Sequence, residues 1–354
     1  MSFHRLLAPE ENSIQAPAPH RSIHREKIPS QIKTFSSISV ALADFQYAAT
    51  NVSSFLNHEV LVTEALLRSN AGTTLGGFLF AIIPRLLLPP MPLYSALELV
   101  VKICVVGVGF QYAMDIVNQR MGVAEDTVNK PYRPIPGGLI SLRGADARWV
   151  FAWILFPLLS YTLSGYWVGI WALVWQAEVS FCYVWPKPNN PVVRNLFTGV
   201  ATFIIISLVN SVVVGQHLGR NMPLVLRASL AGWAGLIIQI QEFHDVEGDR
   251  IAGKKTLPLV LGETKVWLMR YATCWVFFTT HALFLLWGLV LAQSSSWPHG
   301  IYAAGAMQVV LGAAVGLRVI WSDSMAKDRE TYFYWLTVLF WLMIVYISLL
   351  STAM

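Results

Sequence analysis

Two short acidic segments hold the residues best suited to chemistry. The first reads Asn118-Gln119-Arg120-Met121-Gly122-Val123-Ala124-Glu125-Asp126 and continues through Asn129-Lys130-Pro131-Tyr132-Arg133-Pro134-Ile135-Pro136. Asn118, Glu125 and Asp126 offer hard oxygen ligands of the kind Mg²⁺ prefers. Lys130 and Arg133 follow on a proline-stiffened turn, where an ammonium presents a point charge and a guanidinium a forked contact to phosphate oxygens. The second segment reads Gln241-Glu242-Phe243-His244-Asp245-Val246-Glu247-Gly248-Asp249-Arg250, then Gly253-Lys254-Lys255-Thr256-Leu257-Pro258. If the preceding helix continues, Glu242, Asp245 and Asp249 share one face. Carboxylates stacked this way repel one another. An isolated Asp at mid-helix in a bilayer costs about 2.5 to 3.5 kcal/mol, less near the interface. Divalent ions bridged to a diphosphate would remove that repulsion. The expected metal ligands are Asn118, Glu125, Asp126, Glu242, Asp245 and Asp249. One such cluster is as readily an ordinary solvated loop; two, each trailed by Lys or Arg and Pro, argue for a site. His244 is expected beside the site or in solvent, since imidazole is not a favoured Mg²⁺ partner.

The elements that must position these residues are membrane helices. Of the 354 residues, 55% are apolar and only 13% charged, too little polar surface for a soluble domain of this length. About nine stretches approach the roughly 20 apolar residues a spanning helix needs. They begin near Ala71, Tyr94, Trp149, Tyr166, Asn195, Leu224, Val266, Ile301 and Tyr332, and end near Leu88, Val117, Ser164, Trp185, Gly215, Gln241, Leu291, Trp321 and Leu350. No alternating pattern of a membrane barrel appears. With the N-terminal tail in the cytosol, alternate loops carry Arg120, Lys130, Arg133, Arg143 and Arg148, then Lys187 and Arg194, then Arg250, Lys254, Lys255 and Lys265, then Lys327 and Arg329. The opposite loops hold little beyond Arg220. The positive-inside rule therefore puts both acidic segments in the cytosol and the C-terminus in the lumen. The formal charge of +5 is spread in clusters between apolar stretches and forms no basic face, which excludes nucleic acid as a partner. No protein partner is inferable, and membrane lipid surrounds the chain. Residues 1–35 read as a disordered cytosolic tail without a signal-peptide core, 36–70 as an interfacial or cytosolic helical segment, and 71–354 as the membrane domain. Cys104, Cys182 and Cys274 match no zinc spacing and read as small buried hydrophobes. Residence in the endoplasmic reticulum is expected from the absence of other targeting signals.

At the two acidic segments the chain resembles the UbiA superfamily of intramembrane prenyltransferases. That family carries an Asn-Asp-x-x-Asp-x-x-x-Asp motif followed by a Lys-Pro-Tyr-Arg-Pro-Ile-Pro type run, and a second motif, Asp-x-x-Asp-x-x-Gly-Asp, trailed by Gly-Lys-x-Thr-Leu-Pro. Asn129 to Gly138 and Asp245 to Pro258 match closely, and the resemblance covers the chain from about Arg68 onward. Aligned on Asp126, the family's first Asp falls on Gln119 and its middle Asp on Gly122, while Glu242 takes the place of the second motif's first Asp. This Asn-Gln…Glu-Asp version resembles a divergent fungal branch of membrane-bound terpene cyclases.

The resemblance implies an all-α membrane protein, a bundle of about nine helices around a central cavity capped by cytosolic loops. It implies a prenyl diphosphate held through Mg²⁺ by the acids, with Asp126, Asp245 and Asp249 catalytic. Lys130, Arg133, Lys187, Arg194 and Asn118 would bind the diphosphate. Metal and cations stabilise the leaving diphosphate, and an allylic carbocation remains. A cyclase then captures the cation on the chain's own double bonds, in a dry cavity with aromatic faces worth about 0.5 to 2 kcal/mol each. Phe110, Tyr112, Trp171, Trp175, Phe181, Tyr183, Trp233, Phe243, Trp275 and Trp335 are candidates, although aromatic residues also collect at membrane interfaces without catalytic work. The altered first motif favours a terpene cyclase acting on farnesyl diphosphate, or on geranylgeranyl diphosphate, over a prenyltransferase with an aromatic acceptor. A non-enzymatic transporter is the minor alternative; its acids would lie within the spans.

Overall fold

Helix is the only way a long apolar chain satisfies its backbone in lipid without closing a barrel, and the described residues contain helices and no strand. The computed structural model describes residues 52–88, 91–262, 264–295 and 297–354. The expected tail of residues 1–35, and the beginning of the expected 36–70 segment, lie outside them. Residues from His58 to Met354 form one unit. Helix α1 (Val52–Leu67) meets α2 (Ala71–Leu87) at an 87° bend. Next come α3 (Leu93–Met121), the short α4 (Val123–Asn129), α5 (Leu142–Ser164), α6 (Tyr166–Tyr183) and α7 (Pro191–Gly215). Helix α8 (Leu224–Ile237) tightens into a 3₁₀ segment (Ile238–Phe243). After the short α9 (Val246–Ile251) and α10 (Leu257–Leu261) come α11 (Val266–Ala292) and α12 (Pro298–Trp321). The last span is α13 (Met325–Glu330), a π-helical turn (Thr331–Leu336) and α14 (Thr337–Leu350).

Among the described residues, seven helices are long and apolar enough to cross a membrane, or eight when the bent pair α1–α2 counts as one. The expected count of nine is not confirmed. Helix α6 is only 18 residues long, and its tyrosines, Gln176 and Glu178 dilute its apolar run. Helix α2 is 17 residues long, with Pro84 inside it and Arg85 in its last turn.

Local signals set several boundaries. Ser141 Oγ accepts from Gly144 N–H to cap α5. Asn190 caps α7 by accepting from Val192 N–H, with Pro191 at the first helical position. Gly165, at φ 92°, makes the tight link from α5 to α6 that an L side chain would resist. Gly199 of α7 and Gly235 of α8 lie against each other's helix; a Cβ on Gly199 would stand 2.9 Å from Ala231 O. Small residues thus let these two helices approach closely, as membrane helix pairs do. The apolar side chains of Leu97, Val101, Ile154 and Leu158 stay exposed on the outer surface, where lipid covers them. Cys104 is exposed too, a correction to its expected burial: an apolar run in a membrane helix does not say which face is inward.

Candidate diphosphate site

Both acidic segments sit at one end of the bundle, and their packing is direct. Gly248 of α9 rests on Asn129 at the end of α4, so closely that a Cβ would stand 2.0 Å from Asn129 Nδ2. Asn129 Nδ2 also donates to Asp245 O at 3.4 Å. Asp126 and Asp245 therefore lie on the same side of the bundle, joined through their neighbours.

The expected helix through Glu242, Asp245 and Asp249 does not form, which corrects the single-face arrangement. The polar run Gln239–Glu242 leaves the apolar layer as a 3₁₀ turn, and α9 begins anew after Asp245. Other partners hold this break. Asn195 Nδ2 donates to Gln239 Oε1 at 3.3 Å, and Leu257 N–H donates to Glu242 Oε2 at 2.9 Å. The acids still converge, but by loop geometry.

Cations engage every acid of the cluster. Arg133 Nη1 donates to both oxygens of Asp126 at 2.8 Å. Lys130 Nζ lies 3.5 Å from Asp245 Oδ2. Lys254 pairs with Glu125 and stands 3.2 Å from Asp249 Oδ1, which ties the first motif to the second. Arg194 reaches Glu242 at 3.4 Å and Asp249 at 3.9 Å. Burial pushes the Asp126 carboxyl above its ordinary range, and Arg133 pulls it back. Burial likewise raises Asp249, opposed by Lys254 and Arg194 and reinforced by Glu125. Burial also lowers His244, whose ring is largely buried beside Tyr332 and Phe333 rather than in solvent.

These residues crown a cavity of about 600 Å³. Asn118, Glu125, Lys130, Arg133, Lys187, Arg194, Glu242, Asp245 and Lys254 line its ionic end. Asp126 and Asp249 do not line it; they stand behind Arg133 and Lys254, a correction to their expected place at its surface. The deeper wall is aromatic. Phe110 stacks on Trp175 at 3.9 Å, Trp175 on Phe197 at 5.5 Å, and Tyr183 meets Phe197 edge-on at 5.3 Å. Trp175 Nε1 donates to Phe110 O at 2.8 Å, which satisfies the indole and keeps its face toward the stack. Of the expected aromatic residues, Phe110, Trp175 and Tyr183 line the cavity; Tyr112, Trp171, Phe181, Trp233, Phe243, Trp275 and Trp335 do not. Phe197, Tyr332 and Phe340 line it without having been singled out. Lys254 was also missed, although the Gly-Lys-x-Thr run signalled it. Asp115 escaped notice because it lies inside an apolar stretch, one turn before Gln119.

No three of His, Cys, Asp and Glu converge into a closed metal cage among the described residues. The donor set nevertheless fits Mg²⁺, which binds through one or two carboxylates together with substrate phosphates. The buried Asp249 carboxylate makes ion pairs with Lys254 and Arg194 but no well-aligned hydrogen bond, which leaves its oxygens lone-pair capacity for a hard cation.

The UbiA prenyltransferase family model matches residues 72–346. The chain is 31% identical over 242 residues to the diterpene cyclase eriG of Hericium erinaceus, covering 67% of this chain and 72% of that one. It is 29% identical over 230 residues to the somaliensene A/B synthase of Streptomyces somaliensis, covering 63% and 71%. A digeranylgeranylglyceryl phosphate synthase of Methanopyrus kandleri is 30% identical over 201 residues, 56% and 69% of the two chains. A solved structure concerned with digeranylgeranylglyceryl phosphate synthase superposes with a TM-score of 0.51 at 19% identity, covering 83% of this chain and 98% of that one.

Proposed function

The chain belongs to the UbiA prenyltransferase family, and from that membership we propose that it is a membrane-bound terpene cyclase that ionises a prenyl diphosphate and closes the carbocation onto its own double bonds. One observation carries the reading: a single cavity of about 600 Å³ joins a cationic and acidic end to a stacked aromatic wall. The cyclase relatives, and the loss of two first-motif acids at Gln119 and Gly122, support it.

The diphosphate sits at the ionic end. Lys130, Arg133, Lys187, Arg194 and Lys254 meet its oxygens, each exchanging a carboxylate partner or solvent for phosphate. Glu125, Glu242, Asp245 and Asn118 at the cavity wall, and Asp126 and Asp249 behind it once Arg133 and Lys254 turn to the phosphate, would thereby be freed to hold Mg²⁺. When bound, Mg²⁺ would supply charge neutralisation to the leaving diphosphate, beside the lysines and arginines named above. The C–O bond breaks with its electron pair going to diphosphate. The chain's π bonds attack the allylic cation, and loss of a proton leaves a hydrocarbon. Phe110, Trp175 and Phe197 face the positive charge with ring quadrupoles and exclude water. Farnesyl diphosphate is the substrate expected from the sequence; the diterpene cyclase relative argues for geranylgeranyl diphosphate. On this reading the site faces the cytosol and the protein resides in the endoplasmic reticulum.

The digeranylgeranylglyceryl phosphate synthase relatives favour a second reading, prenyl transfer to an acceptor. One experiment separates the two. Membranes carrying the protein are incubated with Mg²⁺ and each prenyl diphosphate in turn, without acceptor, and extracts are analysed for hydrocarbons. Cyclic hydrocarbon is the expected outcome. Consumption of substrate only when an aromatic or alcohol acceptor is added would establish transfer instead. Asp245→Ala and Asp249→Ala are each expected to abolish turnover while the protein still inserts; activity retained in both would remove them from the site.

A further inference from the structure

Asp115 lies in α3 one helical turn deeper than Gln119, is fully buried (0% exposed) and pairs with no cation among the described residues. A bare carboxylate in that setting is costly. Instead it is held by two amides. Asn70 Nδ2 donates to its Oδ1 at 2.5 Å and Gln111 Nε2 to its Oδ2 at 2.9 Å. Gln111 Nε2 donates as well to Leu67 O at 2.7 Å, so both acceptors fix which end of the amide is nitrogen. Its Oε1 is left without a partner inside the protein. Asn70 and Gln111 both line the cavity, as do Met114 and Asn118 on the same helix.

We propose that Asp115 is a positioning residue: by accepting both N–H groups it leaves the carbonyl ends of Asn70 and Gln111 unspent in the wall around the isoprenoid chain, just below the diphosphate, with Gln111 Oε1 buried just beneath the cavity surface. This rests on the cyclase reading of the same cavity. Carbonyl oxygens held in place stabilise positive charge without reorganising as the cation forms. N–H groups in the same place would oppose it. The carboxylate therefore acts at a distance, in place of acids the first motif lacks, and on the cation rather than on the diphosphate. Asn70 comes from the turn between α1 and α2, just outside the family-matched residues 72–346. The turn at the start of the bundle thus completes the chamber.

The experiment compares full-length wild type with Asp115→Asn in membranes, with Mg²⁺ and the prenyl diphosphate that wild type consumes, and no acceptor. An asparagine here donates as well as accepts, so Asn70 loses its enforced orientation and Gln111 keeps only its bond to Leu67 O. Expected are a kcat lowered about tenfold, a KM for the prenyl diphosphate within about twofold, and a share of acyclic or partly cyclised products raised about fivefold or more. A merely structural role lowers total product without changing product ratios, so an unchanged ratio overturns the proposal. Asn70→Leu removes one carbonyl and leaves the Gln111 bond to Asp115 in place. If Asp115→Asn fails to insert, the product ratio of Asn70→Leu decides in the same way. Wild-type membranes that make no hydrocarbon from any prenyl diphosphate overturn the cyclase reading and this proposal together; wild-type product with unshifted variant ratios overturns this proposal alone.

Discussion

Arg133 and Asp126 illustrate how single residues shape the site. Both are nearly buried, and one guanidinium nitrogen donates to both carboxylate oxygens. Removing one partner strands the other, at a cost of about 3 to 5 kcal/mol. Arg133→Ala is therefore expected to lower thermal stability in detergent strongly, while Arg133→Met combined with Asp126→Leu recovers most of the loss; a double variant as unstable as the single one contradicts this assignment. His244 gives a pH signature. Burial lowers its folded-state pKa below the ordinary value of 6.5, with Lys130 and Arg329 adding to the shift and Asp245 opposing it. The unfolded chain then binds a proton more readily than the folded one. Its contribution to stability is complete above about pH 6.5 and is lost as pH falls through the folded value. His244→Phe, seated between Tyr332 and Phe333, is expected to flatten the fall in melting temperature below pH 6.5; a fall identical to that of wild type rules out His244 as its source.

At the scale of elements, the decisive contact is the seat of α9 on α4. Gly248 leaves room for Asn129 and nothing else. Gly248→Ala is expected to push the two motif segments apart and lower turnover at least about tenfold, with insertion intact. Combining it with Asn129→Ala restores space and a measurable part of the rate; equal activity of Gly248→Ala and wild type would show that the contact yields freely. The same scale shows what the sequence could and could not disclose. Spacing and charge placed both acidic segments at one end of the bundle, because loops between apolar runs have few places to go. The 3₁₀ break at Ile238–Phe243 was not legible, since Gln239 and Glu242 read equally well as an exposed helix face. The break depends on Asn195 and Leu257, whose proximity is a tertiary fact. Asp115 hydrogen-bonds Asn70 across 45 residues of sequence, and no local pattern announces such a pair.

For the whole molecule, the cavity joins two chemical regimes in one enclosure, and its aromatic wall comes from three helices, α3, α6 and α7. Trp175→Ala removes the central ring of the stack. On the cyclase reading it is expected to divert product toward early-quenched alcohols as water gains entry, with KM for the diphosphate little changed; a product mixture identical to wild type would take the stack out of the reaction. Apolarity alone marked Phe110, Trp175 and Tyr183 as candidates but could not separate them from lipid-facing rings such as Trp275, because both classes satisfy the same hydropathy. The ion pairs at the mouth carry a last consequence. Every acid in the cluster is already matched by a lysine or arginine, so the resting site has little net field with which to attract either a divalent ion or an anion by itself. Affinity for each then depends on the presence of the other, by the same factor in both directions. Titrating either alone will register weak binding, and the tight complex will appear only when both are supplied.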